Sequence, residues 1–486
     1  MHLFDPRKAD MNTLENREDR SKPPSVFGSL RRRGGVGWNE KGKDWWAGVT
    51  IAFPHTHAAL QADKIKKQVL ELAKRAEKGD EDAVGELNDL YLKETEAFRN
   101  DVRSVLGNRE VLFENNATTA LMLARALSGV RKGVIVTTED LPQTLYWTMR
   151  GGDPHKTQKQ RLVAKRDLLL PPSLGFFSTH SQIQPGGEKS KIALKKIPLY
   201  DASRPMGRQE ILDNLESAIT NDKVRMVVLP HVSRTGQILP ITEARGLIDK
   251  ENAKRNAGEK ILFVVDAAQS IGRVPLEEIR KAHEVSDFFL FTTAKALGGL
   301  LGSAVVTAKR RLVTDGIHHL LKSRFSKYVK AYQFPPGYSG VYEFMNERGF
   351  HTAVSLPELA AGRVGFNARY GAPEERLLAE DEKTLEEVEE KRGKVIKALG
   401  QIPNIELIEP RWDAPFAPSI IPFRLRNTNV KPEELKLALQ TNDAEYGIIT
   451  PSALVENGVL RLEIPTYRQM PSIEKLVGKI RAALGA

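Results

Sequence analysis

From residue 82 to 106 the apolar residues Val84, Leu87, Leu90, Tyr91 and Phe98 recur at helical spacing among charged neighbours. This predicts an amphipathic helix, which Gly107 and Asn108 end. Beyond it the pattern changes to short, β-branched apolar runs, at 111–113, 134–136, 224–229, 261–265, 288–291 and 304–306, alternating with helical stretches. These runs lack in/out alternation, as strands do in a sheet covered on both faces, so the chain reads as α/β. Residues 378–399 read as a long charged helix leading into a smaller α/β region.

The remaining segments set the expected organisation. Residues 1–44 are rich in charge, Gly and Pro without a sustained apolar period and read as an N-terminal arm. A large domain is expected over 45–330 and a smaller C-terminal domain over 331–486. Between 151 and 196 a Lys-, Gly- and Pro-rich stretch reads as a long excursion, a lid or a decoration. Residues 334–340 read as a loop.

Polar residues follow the apolar runs with some regularity: Asn116 to Thr118, Glu139, His231 to Arg234, Asp266, and Thr292 to Lys295. Ligands of α/β sheets collect beyond the carboxyl ends of the strands, so these five groups are expected to converge. The pair that carries most chemistry is Lys295 with Asp266. A Lys able to form a Schiff base and an Asp able to keep a heterocyclic nitrogen protonated are what a pyridoxal phosphate (PLP) enzyme takes from its protein. An Asp or Thr at a strand end also serves as a helix cap or turn former, so the pair matters more than either residue.

Composition narrows this picture. The 486 residues are 41% hydrophobic and 28% charged, as in a packed soluble protein. The net charge of +11 arises from 73 Lys and Arg against 62 Asp and Glu. Its basic stretches, Arg31 to Arg33 and Lys156 to Arg166, interleave no aromatic residues, so a solvated surface is expected rather than a nucleic-acid partner. The chain has no cysteine, which excludes disulfides, thiolate metal sites and sulfur transfer through a protein thiol. No run approaches the roughly 18 apolar residues of a membrane span, and the start lacks an apolar signal core, so a cytoplasmic protein without membrane contact is expected.

Taken in order, several motifs resemble one family. They are Asn116 to Ala120, Glu139 with Trp147 eight residues on, His231 to Gly236 followed by Pro240, Asp266 to Gln269, Thr292 to Lys295, and Arg461 before Tyr467. Over about residues 50 to 480 the chain resembles class V aminotransferases of PLP fold type I, the group of cysteine desulfurases, selenocysteine lyases and isopenicillin N epimerases. The resemblance implies a large domain with a mostly parallel seven-stranded sheet flanked by helices, a smaller C-terminal α/β domain, pyridoxal 5'-phosphate as cofactor, no metal, and a homodimer.

It also implies roles. Lys295 would hold the cofactor and later move the substrate's α-proton, and Asp266 would pair with the pyridine nitrogen. Gln269 would bond the phenolic oxygen. Thr118, with the amides of Ala117 and Thr119, would receive the phosphate at a helix N-terminus, with Thr292 adding a hydroxyl. His231 and Ser233 would complete the cofactor site. Arg461 would clamp the substrate carboxylate, with Arg234 and His57 near the substrate.

Three positions depart from the pattern. Asp140 stands where desulfurases carry the stacking His, Arg234 where relatives often have Asn, and Ala294 where a phosphate-contacting His is usual. Without cysteine the chain is no desulfurase of the protein-thiol kind. The expected activity is Cβ cleavage (a C–S or similar bond) of an amino acid or amino-acid conjugate after α-proton removal. Epimerisation and transamination begin with the same step and stay open, as does a non-catalytic binding protein with a basic surface.

Overall fold

A computed structural model of the chain describes residues 56–114, 116–130, 132–139, 191–201, 204–300, 302–316, 354–411, 413–432, 434–435, 439, 459–464 and 472–485. The chain divides into two compact units, Met1–Ala47 and Gly48–Ala486, and every described residue lies in the second.

Helices α1 (Thr56–Glu77) and α2 (Glu81–Leu106) come first. Asp80 caps α2 by accepting from the amides of Asp82 and Ala83, and Gly107, at φ 107°, ends it with its N–H on the Arg103 carbonyl. Then follow β1 (Glu110–Glu114), α3 (Ala117–Ser128), β2 (Lys132–Thr138), β3 (Lys191–Ile197), α4 (Arg208–Ile219), β4 (Val224–Pro230) and α5 (Ile241–Asn252). After these come β5 (Leu262–Asp266), α6 (Leu276–Val285), β6 (Phe288–Thr292) and β7 (Ala304–Ala308).

These seven strands form one sheet in the order β1-β7-β6-β5-β4-β2-β3. Parallel pairing links β3, β2, β4, β5 and β6 in turn, while β7 runs antiparallel to both β6 and β1. The carboxyl ends of all strands except β7 therefore share one edge, where Asp266 and Thr292 are the last residues of β5 and β6, Asp266 in register with Leu290 two residues before Thr292.

Successive residues of the central strands enter different cores, so no position on them is free to be polar. Val227, Leu229, Phe263, Val265, Phe289 and Phe291 pack into one cluster with residues of α2, α4, α5 and α6. Met226, Val228, Val264, Phe288 and Leu290 pack into the other with Leu121, Ala124 and Leu127 of α3. Each fully buried Phe contributes about 1.5–3 kcal/mol by leaving water.

The carboxyl-terminal part builds a further core. Helices α7 (Leu356–Tyr370) and α8 (Glu374–Leu399) lead into β8 (Ile405–Leu407), β9 (Ile420–Leu425), β10 (Val459–Glu463) and α9 (Ile473–Leu484). The three strands pair antiparallel in the order β8-β9-β10. Val388, Val395 and Leu399 of α8, Leu460 and Leu462 of β10, and Leu476 and Ile480 of α9 enclose that core.

The six expected apolar runs are six of the seven strands, and the expected amphipathic and charged helices are α2 and α8. The seventh strand, β3, falls within the stretch read as an excursion. It is an edge strand, with Ala193, Lys195 and Lys196 exposed and Ile192 and Ile197 buried, and edge strands carry the charges that central ones exclude. The expected arm, residues 151–190, Asp140, Trp147, residues 334–340, Tyr467 and the expected boundary at 330 lie outside the described residues.

Candidate active site

Lys295 lies in the turn after β6, closed by the Gly298 N–H on the Lys295 carbonyl (3.2 Å) and the Gly299 N–H on the Thr293 carbonyl (2.9 Å). Asp266 ends the adjacent strand β5 and is 8% exposed. Its Oδ1 accepts from the Ala268 N–H at 2.9 Å, and its carbonyl accepts from the His231 N–H, also at 2.9 Å. The loops after β4 and β5 are thus tied together at the sheet's carboxyl edge, and the Ala267 N–H on the Leu290 carbonyl (2.7 Å) ties the latter to β6.

Burial pushes the Lys295 ammonium down to about 8; Asp266 opposes the shift, Arg461 and Arg273 add to it, and Glu463 opposes it. Its ordinary value is 10.5. At pH 7 about a tenth of the side chain is then a neutral amine, a nucleophile and base that an exposed Lys supplies far less of.

Arg461 and Glu463 stand two apart on β10 and share one face of it, while Leu460 and Leu462 point into the third core. Glu463 joins two arginines: its Oε1 lies 2.6 Å from Arg461 Nη2 and its Oε2 accepts from Arg273 Nη2 at 2.6 Å. The three side chains are 1%, 8% and 4% exposed for Arg461, Glu463 and Arg273. Burial alone would raise the Glu463 pKa, but the charges of Arg273, Arg461 and Lys295 outweigh it and hold the carboxyl below its ordinary range.

Two glycines let these segments approach. Gly236, at φ 97°, sits where a Cβ would lie 2.8 Å from Ile420 Cβ, and its carbonyl accepts from the Ala417 N–H at 2.7 Å. Gly272, at φ 76°, gives its N–H to the Tyr370 hydroxyl at 2.7 Å, and a Cβ there would lie 3.2 Å from Ala296 Cβ. The first contact brings β9 and β10 to the loop of Arg234; the second holds Arg273 beside the Lys295 turn.

Among solved structures, a mutant of C-DES with glycine covalently linked to its PLP cofactor has a TM-score of 0.58 at 14% identity, covering 88% of this chain and 96% of that one. Alanine–glyoxylate aminotransferase from Nostoc sp. has a TM-score of 0.51 at 14% identity, covering 82% and 88%. A NifS-like protein from Rickettsia africae ESF-5 has 0.51 at 12% identity, covering 82% and 89%. The chain has PLP fold type I. No protein-family model and no curated protein matches it.

Within this type I fold the expected residues separate into groups. Lys295, Asp266 and Arg461 lie together, and Arg234 joins them through its carbonyl, which accepts from Arg461 Nη1 at 2.6 Å. Gln269 accepts from Arg273 Nη1 and so abuts the arginine cluster. Thr292 is 7% exposed, and its Oγ1 has no hydrogen-bond partner among the described residues. His231 is buried and burial pushes it down to about 4, so it is neutral at pH 7, with Nδ1 likewise lacking a partner among the described residues. Ala117, Thr118 and Thr119 form the first turn of α3 at the same edge of the sheet. Its first intrahelical bond is Ala120 N–H to the Asn116 carbonyl, so the amides before it point out of the helix end.

Other residues have local work. The Ser233 hydroxyl meets Thr235 Oγ1 at 3.0 Å and accepts from the Gln237 N–H at 3.0 Å, which fixes the turn around Arg234. His57 is exposed in the first turn of α1. Glu139, expected to converge on the site, accepts through Oε1 from the amides of Leu199 (2.8 Å) and Tyr200 (3.1 Å) and anchors the chain leaving β3. Among the described residues no cluster of three or more His, Asp or Glu could hold a metal, and no helix is long and apolar enough to cross a membrane.

The sequence reading missed Arg273 and Glu463. Both had a local signal: Glu463 is two residues from Arg461 on a strand, and Arg273 is four from Gln269, within reach over one helical turn.

Proposed function

We propose that this protein is a PLP-dependent enzyme that removes the α-proton of an amino acid or amino-acid conjugate and cleaves a bond at Cβ. The observation that carries the reading is Lys295: a half-buried lysine, its ammonium lowered to about 8, between the acid ending β5 and a buried arginine cluster. The residues present fit the cofactor. Asp266 suits a protonated ring nitrogen, the amides opening α3 suit a phosphate, and the buried Thr292 hydroxyl has a hydrogen bond to give.

PLP, when bound, supplies an electron sink for a bond broken at the substrate's Cα. Lys295 Nζ would hold the cofactor, and as a neutral amine it would be the base for the substrate's α-proton. Asp266 would keep a proton on the ring nitrogen through its carboxylate. Arg461 would orient the substrate through its α-carboxylate.

Two observations favour a lyase. The chain contains no cysteine to accept sulfur, and C-DES, described as a cystine C–S lyase in complex with its product cysteine persulfide, has a TM-score of 0.55 while 97% of its length is covered. Transamination is the second reading, favoured by the fold shared with the Nostoc aminotransferase.

An absorption spectrum of protein incubated with PLP tests the cofactor reading, with peptide mass mapping after borohydride. The expected result is a yellow band that borohydride bleaches, a label on Lys295, and loss of both in Lys295→Ala with activity falling about a thousandfold or more. A wild-type protein without band or label overturns it. Pyruvate and ammonia as products support the lyase, and a keto acid formed only with an acceptor supports the aminotransferase.

A further inference from the structure

We infer that Tyr370 is a positioning residue for the site: its hydroxyl holds the loop after β5 in the shape that keeps Arg273 beside Lys295. This rests on the PLP reading above and deepens it.

The loop runs from Ala267 to Pro275, between β5 and α6, and carries Gln269 and Arg273. Most of its amides turn inward: those of Ser270 and Ile271 reach the Ala267 carbonyl at 3.0 and 3.2 Å, and those of Arg273 and Val274 reach the Ser270 carbonyl at 2.8 and 3.0 Å. The buried Gly272 N–H instead meets the Tyr370 hydroxyl of α7 at 2.7 Å. A buried amide without an acceptor is costly, so one oxygen on a distant helix fixes the middle of the loop. The next residue is Arg273, whose guanidinium bonds Gln269 Oε1 and, at 2.6 Å, Glu463 Oε2.

Tyr370 is itself held. It is 1% exposed, burial pushes its phenol up to about 12, and Arg369 hydrogen-bonds to it. Arg369 Nη2 lies 2.5 Å from Asp381 Oδ1 of α8, and Asp381 Oδ2 accepts from the Leu276 N–H at 2.8 Å, where α6 begins. One buried network of Tyr370, Arg369 and Asp381 therefore pins the loop at its middle and at its far end. On its other side the loop touches the Lys295 turn: a Cβ on Gly272 would lie 3.2 Å from Ala296 Cβ and 3.3 Å from Leu297 Cδ2. The charges that act on the half-buried Lys295 are Asp266, Arg461, Arg273 and Glu463, and of these Arg273 alone sits on the pinned loop.

Competitive acetylation of the full chain across pH, before PLP is added and with peptide mass mapping, tests this by following the ionisation of Lys295. Tyr370→Phe deletes one oxygen and keeps the ring. Burial lowers Lys295 most, and Arg461 and Arg273 lower it further, so releasing Arg273 should raise it from about 8 toward its ordinary 10.5. The expected result is roughly threefold less neutral amine at pH 7, or a larger loss. Arg273→Gln should act in the same direction. The double variant Tyr370→Phe with Arg273→Gln should match Arg273→Gln, because Tyr370 acts through Arg273.

An unmoved Lys295 in Tyr370→Phe overturns the inference, as do two effects that add in the double variant. If Tyr370→Phe fails to fold, hydrogen exchange of the wild type decides: the Gly272 amide is expected to exchange slowly, like the strand amides of β5, and exchange at the rate of an open loop overturns the inference. The absorption spectrum after PLP is added to the same samples separates the two proposals. A wild type without a yellow band rejects the cofactor reading and leaves the role of Tyr370 standing, whereas a band with an unmoved Lys295 in Tyr370→Phe rejects that role alone.

Discussion

One acid held by two bases occurs at both ends of the central sheet, with opposite consequences. At the amino ends of β5 and β6, Asp287 meets Arg245 Nη1 at 3.1 Å and Lys309 Nζ at 2.9 Å, and accepts from the Phe263 N–H at 2.9 Å. At the carboxyl ends, Glu463 meets Arg461 and Arg273. The stoichiometry is equal and the exposure is not. The Lys309 side chain is 45% exposed and Arg245 20%, so water screens the spare charge there and the cluster is a staple between strands. Arg461 and Arg273 are 1% and 4% exposed, so water screens them little and their charges are felt by Lys295.

The largest effect that sharpens this contrast comes from removing each acid. Glu463→Gln removes the acid that two buried guanidiniums share and should cost about 3–5 kcal/mol by urea denaturation. Asp287→Asn, with partners that reach water, should cost about 1–2 kcal/mol in the same assay. Equal costs would mean that exposure does not distinguish the two ends.

Lys295 gives the next effect. Its folded pKa is depressed from 10.5 to about 8, so between those values the unfolded chain binds more protons and stability rises with pH; below pH 8 the full penalty applies. Lys295→Met in cofactor-free protein should therefore gain about 3 kcal/mol at pH 7 and lose the rise between pH 8 and 10.5. A substitution that leaves stability at pH 7 unchanged would show that the lysine carries no such penalty.

Much of the fold was legible because buried strands and amphipathic helices write their environment into each residue. Phe288 to Phe291 enter two cores alternately and so must all be apolar, and α2 shows its buried stripe at helical spacing. β3 escaped because an edge strand tolerates Lys195 and Lys196, which read as loop chemistry. In the site, Lys295 and Asp266 were legible because each directly follows or ends an apolar run. Glu139 carries the same local signal, yet the structure shows its Oε1 on the amides of Leu199 and Tyr200: a polar residue at a strand end looks alike whether it faces a ligand or the backbone.

The sequence by itself determined that the chain builds an α/β sheet with Lys295 and Asp266 at strand ends and that no protein thiol takes part, since composition and periodicity are properties of the chain alone. Only the tertiary structure decided that Arg461, 195 and 188 residues beyond Asp266 and Arg273, shares Glu463 with that distant Arg273 beside Lys295. Ion pairing and desolvation depend on distance through space, and two short contacts, at Gly236 and Gly272, set that distance where spacing along the chain could not.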